Sequence, residues 1–316
     1  AGVLVALVAA CALPLSGYLV DVMEGRPLLI RRALGPLERS ACRLVGARED
    51  DGMDWRRFLA SVLAFTAVSF IGLFILLICQ GALPWNPEGF PGLALDTAFN
   101  MTASFVTNTN WQPIAGETNL SYFSQAVGLA VQNFLSPAVG IAVAFALLRG
   151  LASSDGGKLG NFFVDVVRAV LYVLMPLSLV LALVGVWQGS PQTFQGYETV
   201  QLLEPVSVDA EGTLVDADDP TAVQEVTEAV VPLGPQSSQV AIKQLGTNGG
   251  GFNGANSASA LENPTPLTNL LQCAAMPLIP FALVFAFGRM VGDRRQSRAL
   301  MTVCLLYTSP SPRDKR

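Results

Sequence analysis

Five stretches of the chain are apolar and almost free of charge, and they frame everything between them. Residues 58–79 run 22 positions without a charged side chain, and 121–148 form a second uncharged run closed by Arg149. A third, 267–287, stops just before Arg289. Residues 166–187 hold Arg168 near one end, where a long side chain can snorkel toward water. The run at 1–22 carries no charge before Asp21. It reads as a span rather than a signal-peptide core, since neither a basic leader nor a small-residue cleavage site accompanies it. About 20 apolar residues at 1.5 Å rise cross a hydrocarbon layer of roughly 30 Å, so the pattern predicts five transmembrane helices.

The polar segments between these runs alternate in charge. Residues 21–57 hold eight arginines, 149–165 hold Arg149 and Lys158, and 290–298 hold Arg294, Arg295 and Arg298. By contrast 80–120 contain no lysine or arginine, and 188–266 contain only Lys243 against ten acidic residues. Cytoplasmic loops collect Lys and Arg, so the basic segments are expected inside and the N-terminus outside the cytoplasm. Composition agrees with a membrane protein. The chain is 51% hydrophobic and 14% charged, whereas soluble domains carry about 25% charged residues.

The predicted organisation is a first transmembrane helix (1–22), a cytoplasmic basic loop (23–57) and two repeats. The first repeat covers 58–149, with spans at 58–79 and 121–148 around a loop at 95–112. The second covers 150–289, with spans at 166–187 and 267–287 around an acidic extracytoplasmic loop (188–237) and a loop at 238–266. That acidic loop is expected to be disordered or to hold short strands that could dock a partner. Residues 290–303 read as a cytoplasmic loop and the start of a further segment.

The repeat is visible in the outer loops. "LALDTAFNMTASFVTNTNWQ" gives a weakly amphipathic helical run and then Thr107, Asn108, Thr109 and Asn110. "SSQVAIKQLGTNGGG" gives a short helical run and then Thr247, Asn248, Gly249, Gly250 and Gly251. Each precedes an apolar span, and Thr107 to Arg149 and Thr247 to Arg289 are both 42 positions. Repeated modules of this type are a recurrent way of building transporters around a pseudosymmetry axis.

A Thr-Asn-Gly stretch met alone is usually a surface turn. Two at matched spacing, each before a span, point elsewhere. Irregular backbone at membrane depth must be packed in protein or line a watery cavity. Rings of backbone carbonyls can replace the hydration shell of potassium, and glycine admits the dihedral angles that aim them. Threonine can add a hydroxyl oxygen, and asparagine can tie the loop to its scaffold. Neither motif contains a carboxylate of the kind that Ca²⁺ and Mg²⁺ sites normally use. Asp96, Glu262 and Asn263 flank the modules and read as solvated surface, or at most as attractors of cations to a vestibule. Changing Glu262 is therefore expected to matter much less than changing Gly249.

Other chemistry finds little support. The chain has no histidine, and its cysteines at 11, 42, 79, 273 and 304 form no CxxC pair. It has no GxxxxGK[ST] phosphate loop and no Asp-Lys-Thr-Gly phosphorylation motif. Gly249, Gly251 and Gly254 make a formal GxGxxG, but a helical run precedes it where a dinucleotide site needs a strand. No nucleic-acid partner is expected.

"SFVTNTNWQ", "SYFSQAVGLAVQNFLSPAVGIAVAFALLRG", "LGTNGGGF", "ENPTPLTN" and "GDRRQSR" resemble the potassium-binding A subunit (KdpA) of the bacterial Kdp-type potassium-transporting ATPase. The resemblance covers about residues 1–300. It implies an all-α integral membrane protein related to potassium channels, with four span–pore-helix–filter–span repeats around one pore. Two repeats are present here, as expected of an N-terminal fragment. It further implies that Thr107 to Asn110 and Thr247 to Gly251 are potassium-filter segments, with Gln112 beside them, and that K⁺ is the bound ion. Such a chain sits in the bacterial inner membrane beside a P-type B subunit, which hydrolyses ATP, together with the small subunits C and F. It has no nucleotide site of its own. A passive or ion-coupled potassium transporter of the same superfamily, or a membrane scaffold, is the alternative. Two departures stand out. "GFNGANSASALEN" differs from the aromatic and His-Pro residues more usual there, and 304–316, "CLLYTSPSPRDKR", reads as foreign sequence breaking off a sixth span.

Overall fold

A computed structural model describes residues 2–153, 158–209, 214–215 and 223–308. Each apolar run lies in a helix long and apolar enough to cross a membrane: Gly2–Met23, Trp55–Ala82, Ser124–Ala152, Phe162–Trp187 and Pro266–Met290. In chain order, α1 (Gly2–Met23) is followed by α2 (Leu29–Leu44), α3 (Trp55–Cys79), α4 (Leu95–Val106) and the single turn α5 (Gly116–Asn119). A π-helical turn, Ser124–Leu129, leads into α6 (Ala130–Ala152), and a second, Ala169–Leu174, joins α7 (Phe162–Arg168) to α8 (Met175–Trp187). Then come α9 (Gln236–Leu245), α10 (Pro266–Met290) and α11 (Arg294–Thr308).

The helix ends follow from local chemistry. Asp54 caps α3 by accepting from Arg57 N at 2.8 Å, and Thr265 and Thr268 form a reciprocal box at the start of α10, with Pro266 at its first position. Prolines inside helices free carbonyls that must be answered elsewhere. Pro176 cannot donate to Tyr172 O, and Tyr18 of α1 donates its hydroxyl there instead, at 2.7 Å.

In lipid, apolar contact alone gives little drive for association, so packing and polar links decide which helix is central. The window of Ser124–Ala152 is 44% buried inside the protein and that of Trp55–Ala82 only 11%. The former is the scaffold and α3 is peripheral. The main core joins Leu19 and Met23 of α1, Phe145 of α6, Phe162 of α7 and Ala282 of α10. A smaller cluster packs Met101 and Phe105 of α4 on Leu73 and Leu77 of α3. Arg149, in the last turn of α6, pairs with Asp165 at 2.5 Å and Glu24 at 3.1 Å. Arg289, in the last turn of α10, donates to Ser16 Oγ at 2.8 Å.

Three features depart from or refine the sequence reading. The basic segment 23–57 is no open loop, because α2 inside it buries Glu38 against Arg168 (2.9 Å) and the Tyr172 hydroxyl (2.6 Å). The acidic segment 188–237 holds an antiparallel sheet of order β2-β1-β3, formed by β1 (Glu198–Val208), β2 (Leu214–Val215) and β3 (Gln224–Val231). Glu198 pairs with Val231 and Val208 with Gln224. The buried Tyr122 anchors both stems of this loop, its hydroxyl lying 2.6 Å from Gln195 O and 2.8 Å from Leu233 O. Finally, α11 runs through Cys304, where the sequence predicts a break, as far as Thr308. The remainder of the tail, from 309, lies outside the described residues.

Candidate functional site

The two Thr-Asn segments leave the C-terminal ends of α4 and α9. Both of these short helices pack against α6. In each exit one carbonyl of the last turn gathers two N–H groups. Ser104 O accepts from Thr109 N (3.0 Å) and Asn110 N (3.2 Å), and Lys243 O accepts from Asn248 N (3.0 Å) and Gly249 N (3.4 Å). The chain then enters left-handed conformations, with φ of 64° at Asn108, 54° at Asn110, 59° at Thr247, 72° at Gly249 and 65° at Gly250. Asparagine and glycine tolerate this region, but a β-branched threonine is an outlier there. None of the carbonyl oxygens of 107–110 or 247–251 accepts a hydrogen bond among the described residues. The exits thus spend their N–H groups inward and leave their carbonyls uncommitted.

Side chains alternate in the same sense. Thr107, Thr109 and Thr247 are exposed, whereas Asn110 and Asn248 are buried. Asn108 and Asn248, the asparagines that follow the first threonine of each segment, bond to each other, Nδ2 of Asn248 donating to Oδ1 of Asn108 at 2.5 Å. Ser136 of α6 completes this hub: it donates to Asn108 Oδ1 at 2.8 Å and accepts from Asn248 Nδ2 at 3.0 Å. One turn earlier on α6, Asn133 Oδ1 accepts from Asn110 Nδ2 at 2.6 Å. Gln112 ties the segments a second time, its Oε1 accepting from Gly251 N at 2.7 Å. Asn108, Gln112, Thr247, Asn248 and Gly251 are thus brought together across the two segments, and α6 holds Asn108, Asn110 and Asn248. The sequence alone does not single out Asn133 and Ser136, although "VQNFLSP" is a conspicuous polar interruption of an apolar span.

Behind Gly251 lies an ion pair that corrects the reading of Glu262. That residue is no solvated vestibule carboxylate. Its side chain is fully buried and bonded to Lys243 Nζ, itself fully buried. Lys243 Nζ also donates to Asn256 Oδ1 at 2.7 Å, and Glu262 Oε1 accepts from Asn253 N at 2.9 Å. Burial pushes the Lys243 ammonium pKa down, and the Glu262 carboxylate opposes that shift. Asp96 by contrast is exposed in the first turn of α4. The formal GxGxxG has no nucleotide geometry: helix α9 precedes it, and Gly254 N is taken by Glu117 Oε2 at 2.7 Å. Among the described residues no group of three or more Cys, Asp or Glu could hold a metal ion. The oxygens gathered at the site are neutral.

Comparison with known proteins places this arrangement in context. The family profile described as the potassium-transporting ATPase A subunit (KdpA) matches residues 2–311. Similar curated proteins carry the name potassium-transporting ATPase potassium-binding subunit. One from Desulfovibrio desulfuricans is 50% identical over 304 residues, covering 96% of this chain and 50% of its own length. One from Clostridium botulinum is 49% identical over 299 residues, covering 95% and 50%. One from Clostridium perfringens is 51% identical over 289 residues, covering 92% and 48%. The chain spans about half the length of the curated relatives it matches.

Proposed function

The chain belongs to the potassium-transporting ATPase A-subunit family, and from that premise we propose that its two Thr-Asn segments form half of a potassium-selective filter. The observation that carries this is the division of labour in the backbone. Both exits turn N–H groups back toward helix or scaffold and leave a run of carbonyls with no hydrogen-bond partner among the described residues. Uncommitted carbonyls at membrane depth are costly unless an ion or water uses them. Two helix C-termini converge on the same place, and each presents roughly half a negative charge, which favours a cation. Potassium suits such a site because neutral oxygens can replace its weakly held hydration shell.

In the complete protein, K⁺ enters from the outside and is selected by the carbonyls. ATP is hydrolysed by a P-type partner, the catalytic B subunit, in a complex with the small subunits C and F. The basic segments face the cytoplasm of the bacterial inner membrane and the N-terminus faces out. The sheet of 188–237 then lies on the outer face, where a partner could dock.

Gly249 tests the filter directly. Its φ of 72° suits glycine, and a carboxylate there would add charge and a hydration shell to the neutral path. In the full-length protein within its complex, Gly249→Asp is expected to raise the K⁺ concentration for half-maximal ATPase activity at least tenfold and to relax discrimination against Na⁺, with normal membrane insertion. Wild-type affinity in that variant would refute the filter. Rubidium uptake without any ATP-hydrolysing partner would point instead to a passive or ion-coupled transporter.

A further inference from the structure

The buried charges beside Gly251 pose a problem for any cation site, since a lysine ammonium standing against its wall repels the ion it must bind. A Cβ added to Gly251 would overlap Lys243 Nζ and come within 2.8 Å of Glu262 Oε1, so both charges abut the last residue of the second segment. Lys243 is bound to the site twice. Its carbonyl gathers Asn248 N and Gly249 N, and its ammonium reaches the return loop at Glu262 and Asn256. Glu262 in turn holds Asn253 through both N (2.9 Å) and Nδ2 (3.3 Å), and accepts through its backbone O from Gln272 of α10 at 2.9 Å.

The geometry points to Glu262 as a positioning and charge-compensating residue of the ion site: it cancels Lys243 at Gly251, so that a K⁺ ion meets the field of the carbonyls alone. This rests on the filter reading above. A lysine is suited to this position by its reach. Its long stem and ammonium staple the C-terminal turn of α9 to the return loop, and a paired carboxylate makes that staple neutral. Removal of one partner is far more damaging than removal of both, because a buried charge left alone is the costly state.

The pair makes a prediction of sign that a purely structural staple does not. In the full-length protein within its complex, the readout is K⁺-stimulated ATPase activity. Glu262→Gln strands the ammonium and is expected to raise KM for K⁺ about tenfold with kcat largely kept. Lys243→Met adds no cation and is expected not to raise KM. The double variant Lys243→Met/Glu262→Gln is expected within about twofold of the parent KM. Equal rises in both single variants would reduce the pair to a scaffold and overturn the inference, as would an unchanged KM in Glu262→Gln. Should Glu262→Gln fail to assemble, the double variant decides: it removes the same carboxylate without stranding a charge, so a tenfold rise there overturns the inference and a KM near the parent's supports it. Gly249→Asp, measured in parallel, separates the two claims. If it binds K⁺ normally the filter reading falls, and if it is impaired while Glu262→Gln is normal only the charge pair falls.

Discussion

Thr247 sits at φ 59° with its hydroxyl accepting from Asn108 Nδ2 at 3.3 Å. A β-branched residue held there costs about 1–3 kcal/mol and persists only where its surroundings over-determine it. Here they do: Asn248 is locked to Asn108 and Ser136 on one side, and Gly246 on the other lies close to Asn133 O, the carbonyl that Pro137 leaves free. Thr247→Gly is therefore expected to raise thermal stability of the full-length protein by about 1 kcal/mol or leave it unchanged, yet to weaken K⁺ discrimination by removing a hydroxyl. Thermal unfolding and Na⁺ competition on one preparation check both halves, and a variant that loses stability would remove the case for strain. The chemistry of these residues is legible in the sequence because asparagine and glycine next to threonine imply unusual dihedrals. Their partners are not. Asn133 meets Asn110 across 23 positions, Ser136 meets Asn248 across 112 and Lys243 meets Glu262 across 19, and no helical or strand periodicity announces such contacts.

Among the elements, α2 shows what charge counting leaves out. Eight arginines in 21–57 suit a cytoplasmic loop, but they hide an amphipathic helix that docks through an acid. Glu38 accepts from Arg168 at 2.9 Å, from Arg31 at 3.1 Å and from the Tyr172 hydroxyl at 2.6 Å. Burial alone would push its carboxyl up, but the hydrogen bonds from Arg31, Tyr172 and Arg168 outweigh that and hold it at about 2, below its ordinary 4.5. A depressed folded-state value means stability that is fully present above pH 4.5 and is lost as pH falls toward 2. Glu38→Gln is expected to cost about 2–3 kcal/mol at neutral pH and to flatten acid destabilisation across that window. Unfolding followed against pH for both proteins tests it, and parallel pH curves would mean that Glu38 is not the group being titrated. The π-turns at Ser124–Leu129 and Ala169–Leu174 are likewise invisible in sequence, since both lie in apolar runs that any helix would satisfy. The spans and the helices before each Thr-Asn segment are visible because lipid forces long uncharged runs and α4 and α9 keep a helical apolar face.

At the scale of the whole molecule, the two Thr-Asn segments meet at α6, and among the described residues they do not enclose a site between them. Thr107, Thr109 and Thr247 are exposed, and the carbonyls beside them have no hydrogen-bond partner among the described residues. A filter that strips water from K⁺ must offer oxygens from all sides, because each hydration water lost without a replacement raises the barrier to entry. The chain spans about half the length of its curated relatives and contains two Thr-Asn segments of the four that the resemblance implies. Alone, it is expected to give no K⁺-selective flux after reconstitution into liposomes, even if its five apolar helices insert. Co-reconstitution with a chain supplying the other two repeats is expected to restore saturable K⁺ or Rb⁺ flux that Gly249→Asp impairs. Selective flux from the chain by itself would mean that two segments suffice, or that two copies close a pore between them. Dependence of rate on the square of protein density would identify the second case, since the four segments around the pore would then come from two molecules, one α4–α9 pair from each.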